Sequence, residues 1–197
     1  MQDNNKKQIF TLLFAGVCGH VLSTKYRMKM KIRDKEFTYG EIVWDGFEQI
    51  LDRAPINSKH QVFYDLGSGV GKAVIASALS GKFKKCYGIE LLDSLYQASR
   101  KVLLEYKQTV ATSQEIDFIQ ADFFEYDFSD ADVVFVQCTC MMDYALERLQ
   151  EKMSILKPGS LVITATNKLK EPFEVVDNGK FEFEWGMSKV YFQIKRG

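Results

Sequence analysis

At 197 residues, 46% hydrophobic and 26% charged, the chain has the balance of one folded domain that can bury a core, with at most a short appendage. Three prolines, no low-complexity tract and no internal repeat exclude a long disordered tail and a repeat array. The 26 basic residues balance 26 acidic ones, yet residues 1–40 carry +5 (eight basic, three acidic) and the remainder −5.

The basic N-terminal segment can meet an acidic partner such as nucleic acid, a nucleosome or anionic lipid, with a merely solvated face as the plain alternative. Within it, residues 9–22 (IFTLLFAGVCGHVL) form an apolar run of fourteen that follows two lysines. That is shorter than the ~20 residues of a membrane span, and no small-residue cleavage site follows. A helix packed on the domain is expected, a short membrane anchor being the alternative. Residues 26–37 alternate, with Arg27, Lys29, Lys31 and Arg33 on one side and Met28, Met30 and Ile32 on the other. This period of two predicts a half-exposed strand or extended basic arm. Residues 1–40 are thus read as a helix and arm, and 41–197 as the domain proper.

After Thr38-Tyr39-Gly40-Glu41, a helical pattern runs through Ile42, Phe47, Ile50 and Leu51 and breaks at Pro55. From residue 60, strands and helices alternate. Strands are predicted over 61–66, 85–90, 116–120, 132–137 and 161–166, and helices over 73–79, 92–109 and 141–156. A closing antiparallel pair is predicted over 181–185 and 189–194. The alternation predicts an α/β fold, with a mostly parallel sheet of seven strands and helices on both faces. Such sheets bind ligands beyond the carboxyl ends of the strands, where strand order reverses.

At that end of the first strand stands Asp65-Leu66-Gly67-Ser68-Gly69-Val70-Gly71. Gly67 and Gly69 let the backbone turn tightly and approach a ligand. An NAD fingerprint started at Gly67 would need glycine where Lys72 stands, and no phosphate-loop GK[ST] follows. The GxGxG spacing behind an acid instead suits S-adenosylmethionine (SAM), with Asp65 able to accept from a cationic amino group. Glu90 ends the second strand, placed to grip ribose hydroxyls. Asp122 follows the third, suited to the adenine amino group, with Phe123 as an apolar wall. Either acid alone could be a helix cap; three strand-end acids with matched spacing read as a nucleoside site.

With these motifs in view, residues 38–192 resemble the disruptor-of-telomeric-silencing family, non-SET methyltransferases of a nucleosomal histone lysine. The likeness rests on TYGE (residues 38–41), YDLGSGVGK (64–72), YGIE (87–90), ADFF with Asp122, VVFV (133–136) and WGMSKVYF (185–192). It implies a Rossmann-like class I methyltransferase fold with SAM as cofactor and a protein, histone or otherwise, as substrate. Tyr39, Gly40 and Glu41 would close over the methionine part; Asp65, Gly67 and Gly69 would line methionine and sugar. Glu90 would hold the ribose, Asp122 and Phe123 the adenine, and Tyr191 would wall a lysine channel. The chain departs from the family in carrying Gln137-Cys138 for a pair of asparagines, Lys72 for a glutamine, and a much reduced N-terminal domain. Compact archaeal and mitochondrial lysine methyltransferases look similar over the core and act on other proteins.

A lysine nucleophile must arrive neutral, although its free pKa is about 10.4. An apolar channel favours that form by desolvation, and Trp185 and Tyr191 could build it, with Phe135 behind. Gln137, at the tip of the fourth strand, offers an amide to SAM or to the amine. The tip reads Gln137-Cys138-Thr139-Cys140, without the prolines of adenine or glutamine amino-methyltransferases. Cys138 or Cys140 as nucleophile, a nucleic-acid or small-molecule acceptor, and a non-catalytic SAM-fold binding protein are the competing readings. The four cysteines form no CxxC and no zinc spacing with the two histidines. Reduced thiols imply an intracellular protein, nuclear or cytoplasmic.

Overall fold

A computed structural model describes residues 3–31 and 39–197. Helices α1 (Asp3–Phe14), α2 (Gly19–Met30) and α3 (Trp44–Arg53) precede β1 (Val62–Leu66), α4 (Lys72–Ser80), β2 (Lys85–Glu90), α5 (Asp93–Thr109) and β3 (Glu115–Gln120). Then follow β4 (Val133–Gln137), α6 (Asp143–Lys152), β5 (Leu161–Ala165), β6 (Phe173–Phe183) and β7 (Gly186–Lys195). The seven strands form one sheet in the order β3-β2-β1-β4-β5-β7-β6, parallel except for β7, which runs antiparallel to both β5 and β6. Strand order reverses between β1 and β4, so the crevice opens beyond Leu66 and Gln137.

The central strands are apolar on both faces because helices cover both. Alternation along β1 and β4 sends Phe63 and Phe135 into a core shared with α1, α3, α4 and α5. Tyr64, Leu66, Val134 and Val136 go to the opposite core, against Leu149 of α6 and Met153. Phe135 meets Phe47 edge to face, ring centroids 5.1 Å apart, and it and Phe192 are fully buried core residues.

The apolar N-terminal run folds as two helices packed on the domain, with Phe10, Leu13 and Phe14 in the main core. By length and hydropathy alone, Asn4–Met30 would suffice to cross a membrane. The extended arm expected over residues 26–37 is corrected over 26–31, residues 32–37 lying outside the described residues. Arg27 and Lys29 lie in α2 and Lys31 caps it in the left-handed conformation, φ 57°; Arg33 lies outside the described residues. Lysine, arginine and methionine are good helix formers. Gly19, Leu22, Ser23 and Tyr26, at helical spacing, turn inward, so the basic residues spread over more than one helix face instead of forming one ladder.

The closing hairpin is longer than expected. Asp177-Asn178-Gly179 reads as a turn, but the Arg53 guanidinium holds it extended. Arg53 donates to both Asp177 oxygens (2.7 and 2.8 Å) and to the Asn178 carbonyl (2.8 Å), beside a β-bulge between Val175 and Asp177.

Candidate cofactor site

The glycine bend hangs from the neighbouring strand: the Gly67 and Ser68 amides donate to the Ile89 carbonyl at 2.9 and 3.0 Å. Gly67 (φ +77°) and Gly69 (φ +56°) both take left-handed backbone. A Cβ at Gly67 would meet nothing within 4 Å, so its face is open to the cleft; one at Gly69 would strike the Tyr39 ring at 2.6 Å. The cleft encloses about 240 Å³, room for a nucleoside-sized ligand. Tyr39, Gly40, Glu41, Asp65, Gly67, Gly69, Glu90, Asp122, Phe123 and Gln137 all line it. Residues from five separate segments are therefore brought to one wall, as the strand ends dictate.

Asp65 is 5% exposed and no described residue donates a hydrogen bond to it. Burial, reinforced by the nearby Glu90 charge, pushes its pKa up to about 8. A buried carboxyl with no partner among the described residues could take a cation. Glu90 is also buried and its pKa raised by desolvation, opposed by backbone amides: Oε2 accepts the Gly69 N–H at 2.8 Å and Oε1 the Leu92 N–H at 2.7 Å. Asp122 Oδ1 accepts the Phe124 N–H at 2.9 Å, which caps a turn rather than a helix, and the residue also lines the cleft.

The loop at Tyr39 is tied down from below. Its hydroxyl donates to Glu41 Oε1 (2.8 Å) and accepts the Val70 N–H (3.4 Å). Burial, then the Glu41 charge, raises the phenol's pKa. Lys72, the first residue of α4, pairs with the other Glu41 oxygen. Trp185 presses edge-on against Gly40, where a Cβ would meet the indole at 2.6 Å, and stacks on Phe183 at 4.8 Å.

Tyr191 is not brought into the cleft. It pairs with Thr164 and Asn178 inside the hairpin, under the Lys189 ammonium at 4.9 Å; one register step separates it from the strand tips. Sequence reasoning missed Lys72 as a loop anchor, Ser23 of α2 and Arg148 of α6 as cleft residues. Arg148 lies over the Phe124 ring at 4.1 Å. Nothing in local spacing signals these three, because α2 and α6 reach the cleft only through packing. Cys138 is buried and desolvation pushes its thiol up to about 12. Among the described residues no His, Cys, Asp or Glu cluster is arranged to hold a metal.

An acidic set of acceptors, with Glu41 already paired to Lys72, fits a ligand bearing a cation, hydroxyls and an amino group. The strand order, the glycine bend and these carboxylates define a class I SAM-dependent methyltransferase fold. An RNA methyltransferase from Salinibacter ruber in complex with S-adenosylhomocysteine superposes with TM-score 0.62 at 25% identity, over 76% of this chain and 90% of that one. Magnesium protoporphyrin IX methyltransferase from Synechocystis PCC 6803 with bound SAM shares the fold at TM-score 0.62 and 12% identity, over 93% and 99%.

Residues 21–189 match the histone methylation protein DOT1 family, and the chain belongs to it. It is 26% identical over 147 residues to the H3 lysine-79 specific histone-lysine N-methyltransferase of Drosophila melanogaster, covering 71% of this chain but 8% of that protein. It is 30% identical over 121 residues to a protein-lysine N-methyltransferase of Saccharolobus islandicus, covering 60% of this chain and 71% of that one.

Proposed function

We propose that this protein transfers a methyl group from SAM to the side-chain amine of a protein lysine, inside the cell. The observation that carries the reading is the convergence of the buried Asp65 carboxyl, without a partner among the described residues, the open face of Gly67 and the Tyr39–Glu41 loop on one cleft. Bound there, SAM supplies a methyl group on a positively charged sulfur. Asp65 would take its ammonium, Glu90 the ribose hydroxyls and Asp122 the adenine amino group, while Tyr39 and Trp185 exclude water from the loop side. Alignment of the amine is the main task in such a displacement, and Gln137 at the tip of β4 offers the amide that would hold it.

Two features favour lysine over other acceptors. Family membership and the archaeal protein-lysine relative point to protein amines. The raised Cys138 thiol disfavours a nucleophilic-cysteine mechanism on cytosine. Apolar groups such as Met141, which lines the cleft, and Trp185, which packs on Gly40 of its loop, would favour the neutral amine. The basic residues Arg27, Lys29 and Lys31 offer an acidic partner, a nucleosome included, a place to dock.

The test is methyl incorporation from labelled SAM into nucleosomes, free histones, cell-extract protein and total RNA, followed by hydrolysis and identification of the methylated residue. Methyl-lysine in any protein fraction is expected. Label confined to RNA would replace the reading with nucleic-acid methylation, and SAM binding without incorporation would replace it with a binding role.

A further inference from the structure

Ser23 lies on the inward face of α2, is 1% exposed, and lines the cleft. Its Oγ is buried and has no hydrogen-bond partner among the described residues. A helical serine usually satisfies its hydroxyl on the carbonyl four residues back, and native proteins rarely leave a buried hydroxyl unmatched. A ligand that reaches Ser23 would match it.

The helix that carries Ser23 is fixed in place at both the loop and the nucleoside side. Gly19 leaves no room for a Cβ because the Tyr39 hydroxyl and Glu41 carboxylate stand against it. His20 packs edge-on to the Tyr39 ring at 5.2 Å, and its Nε2 meets Glu184 Oε2 at 2.7 Å. On the other side the Ser94 hydroxyl, in the first turn of α5, donates to the Leu22 carbonyl at 3.2 Å. That turn begins just beyond Glu90, and its Leu92 and Leu95 share the cleft wall with Ser23. Ser23 therefore sits between the Tyr39–Glu41 loop and the first turn of α5, which begins just beyond Glu90.

We propose that Ser23 is a cofactor-binding residue whose hydroxyl hydrogen-bonds a ribose hydroxyl beside Glu90, which makes helix α2 part of the nucleoside site. The proposal rests on the reading of the cleft as a SAM site. An unmatched hydroxyl destabilises the free protein slightly and is satisfied on binding.

Calorimetric titration of the full chain and of Ser23→Ala with SAM, and separately with 5′-methylthioadenosine, tests it. That second ligand has the nucleoside without the amino acid. The variant is expected to bind both about three- to tenfold more weakly, the equivalent of one neutral hydrogen bond. Its ligand-free thermal midpoint should be equal to or above that of the parent, since alanine removes the unmatched group and favours helix. Unchanged affinity in the variant, with or without a lower midpoint, would make Ser23 a packing residue and overturn the proposal alone. A loss for SAM with none for methylthioadenosine would overturn the ribose assignment. Failure of the parent chain to bind either ligand would overturn the cofactor reading itself.

Discussion

Glu90 accepts the Gly69 amide at 2.8 Å, so the acid at the end of β2 braces the glycine bend at the end of β1. Its second oxygen takes the Leu92 amide. One carboxylate thus shapes the loop as well as lining the cleft. Glu90→Ala should weaken SAM by on the order of 1.5–3 kcal/mol, the range for a charged hydrogen bond. It should also lower ligand-free stability by about 1–3 kcal/mol, because two buried amides lose their acceptor. Calorimetry and urea unfolding read the two effects separately. Intact stability would remove the bracing role, and intact affinity the ribose role.

Asp65, held at about 8 against an ordinary 3.8, would make the binding of a cationic ligand proton-linked. The folded ligand-free chain keeps a proton there that the unfolded chain releases, so this group lowers stability as pH rises from about 4 to 8. A ligand ammonium stabilises the carboxylate and expels that proton. Titrating SAM at pH 7 in buffers of different ionisation enthalpy should show close to one proton released. No release, or uptake, would mean that Asp65 does not meet the cation.

The Lys72–Glu41 pair links α4 to the loop over the cleft, with the two side chains 21% and 7% exposed. Lys72→Met leaves Glu41 buried without a counter-charge and should cost roughly 1–3 kcal/mol of stability, below the figure for fully buried pairs because Lys72 is partly solvated. The double variant Lys72→Met/Glu41→Gln should recover most of it. Additive losses in the double-variant cycle would show that the two residues are not coupled.

Thiol reactivity separates the four cysteines. Cys18 is exposed, Cys140 half-buried, Cys86 and Cys138 buried, and burial raises both buried thiols. Under native conditions a maleimide should label Cys18 first and leave Cys138 unmodified until unfolding. Cys138→Ser should spare methyl transfer; its abolition would restore the nucleophilic-cysteine mechanism.

Thr166, just past β5, holds φ +77°, a conformation that a β-branched residue tolerates poorly. Its hydroxyl meets Thr139 at 2.9 Å at the exposed rim. Thr166→Gly should relieve strain worth about 1 kcal/mol more than that exposed contact returns, raising the thermal midpoint. A lower midpoint would show that the hydroxyl contact dominates.

Much of the fold was legible because period is a local property. β2 (Lys85–Glu90) and α5 (Asp93–Thr109) fall within one residue of their expected bounds, since apolar alternation and helical spacing are strong there. The segment 26–31 misled, because a short alternation of lysine and methionine fits a helix whose inner face is glycine and serine. β6 was read too short, because the Arg53 fork that straightens Asp177 and Asn178 comes from 124 residues earlier in the chain.

The sequence alone determined the order of strands and helices from residue 42 onward, the tight glycine bend and the presence of an acid at each of three strand ends. Those follow from side-chain size, backbone freedom and hydropathy, which act over a few residues. Only the tertiary structure decided that Glu90 braces the bend, that Lys72 anchors Glu41, that α2 brings Ser23 to the cleft and that Tyr191 stays out of it. These depend on how strands pair and helices pack, contacts between groups far apart in the chain, and no local spacing encodes them.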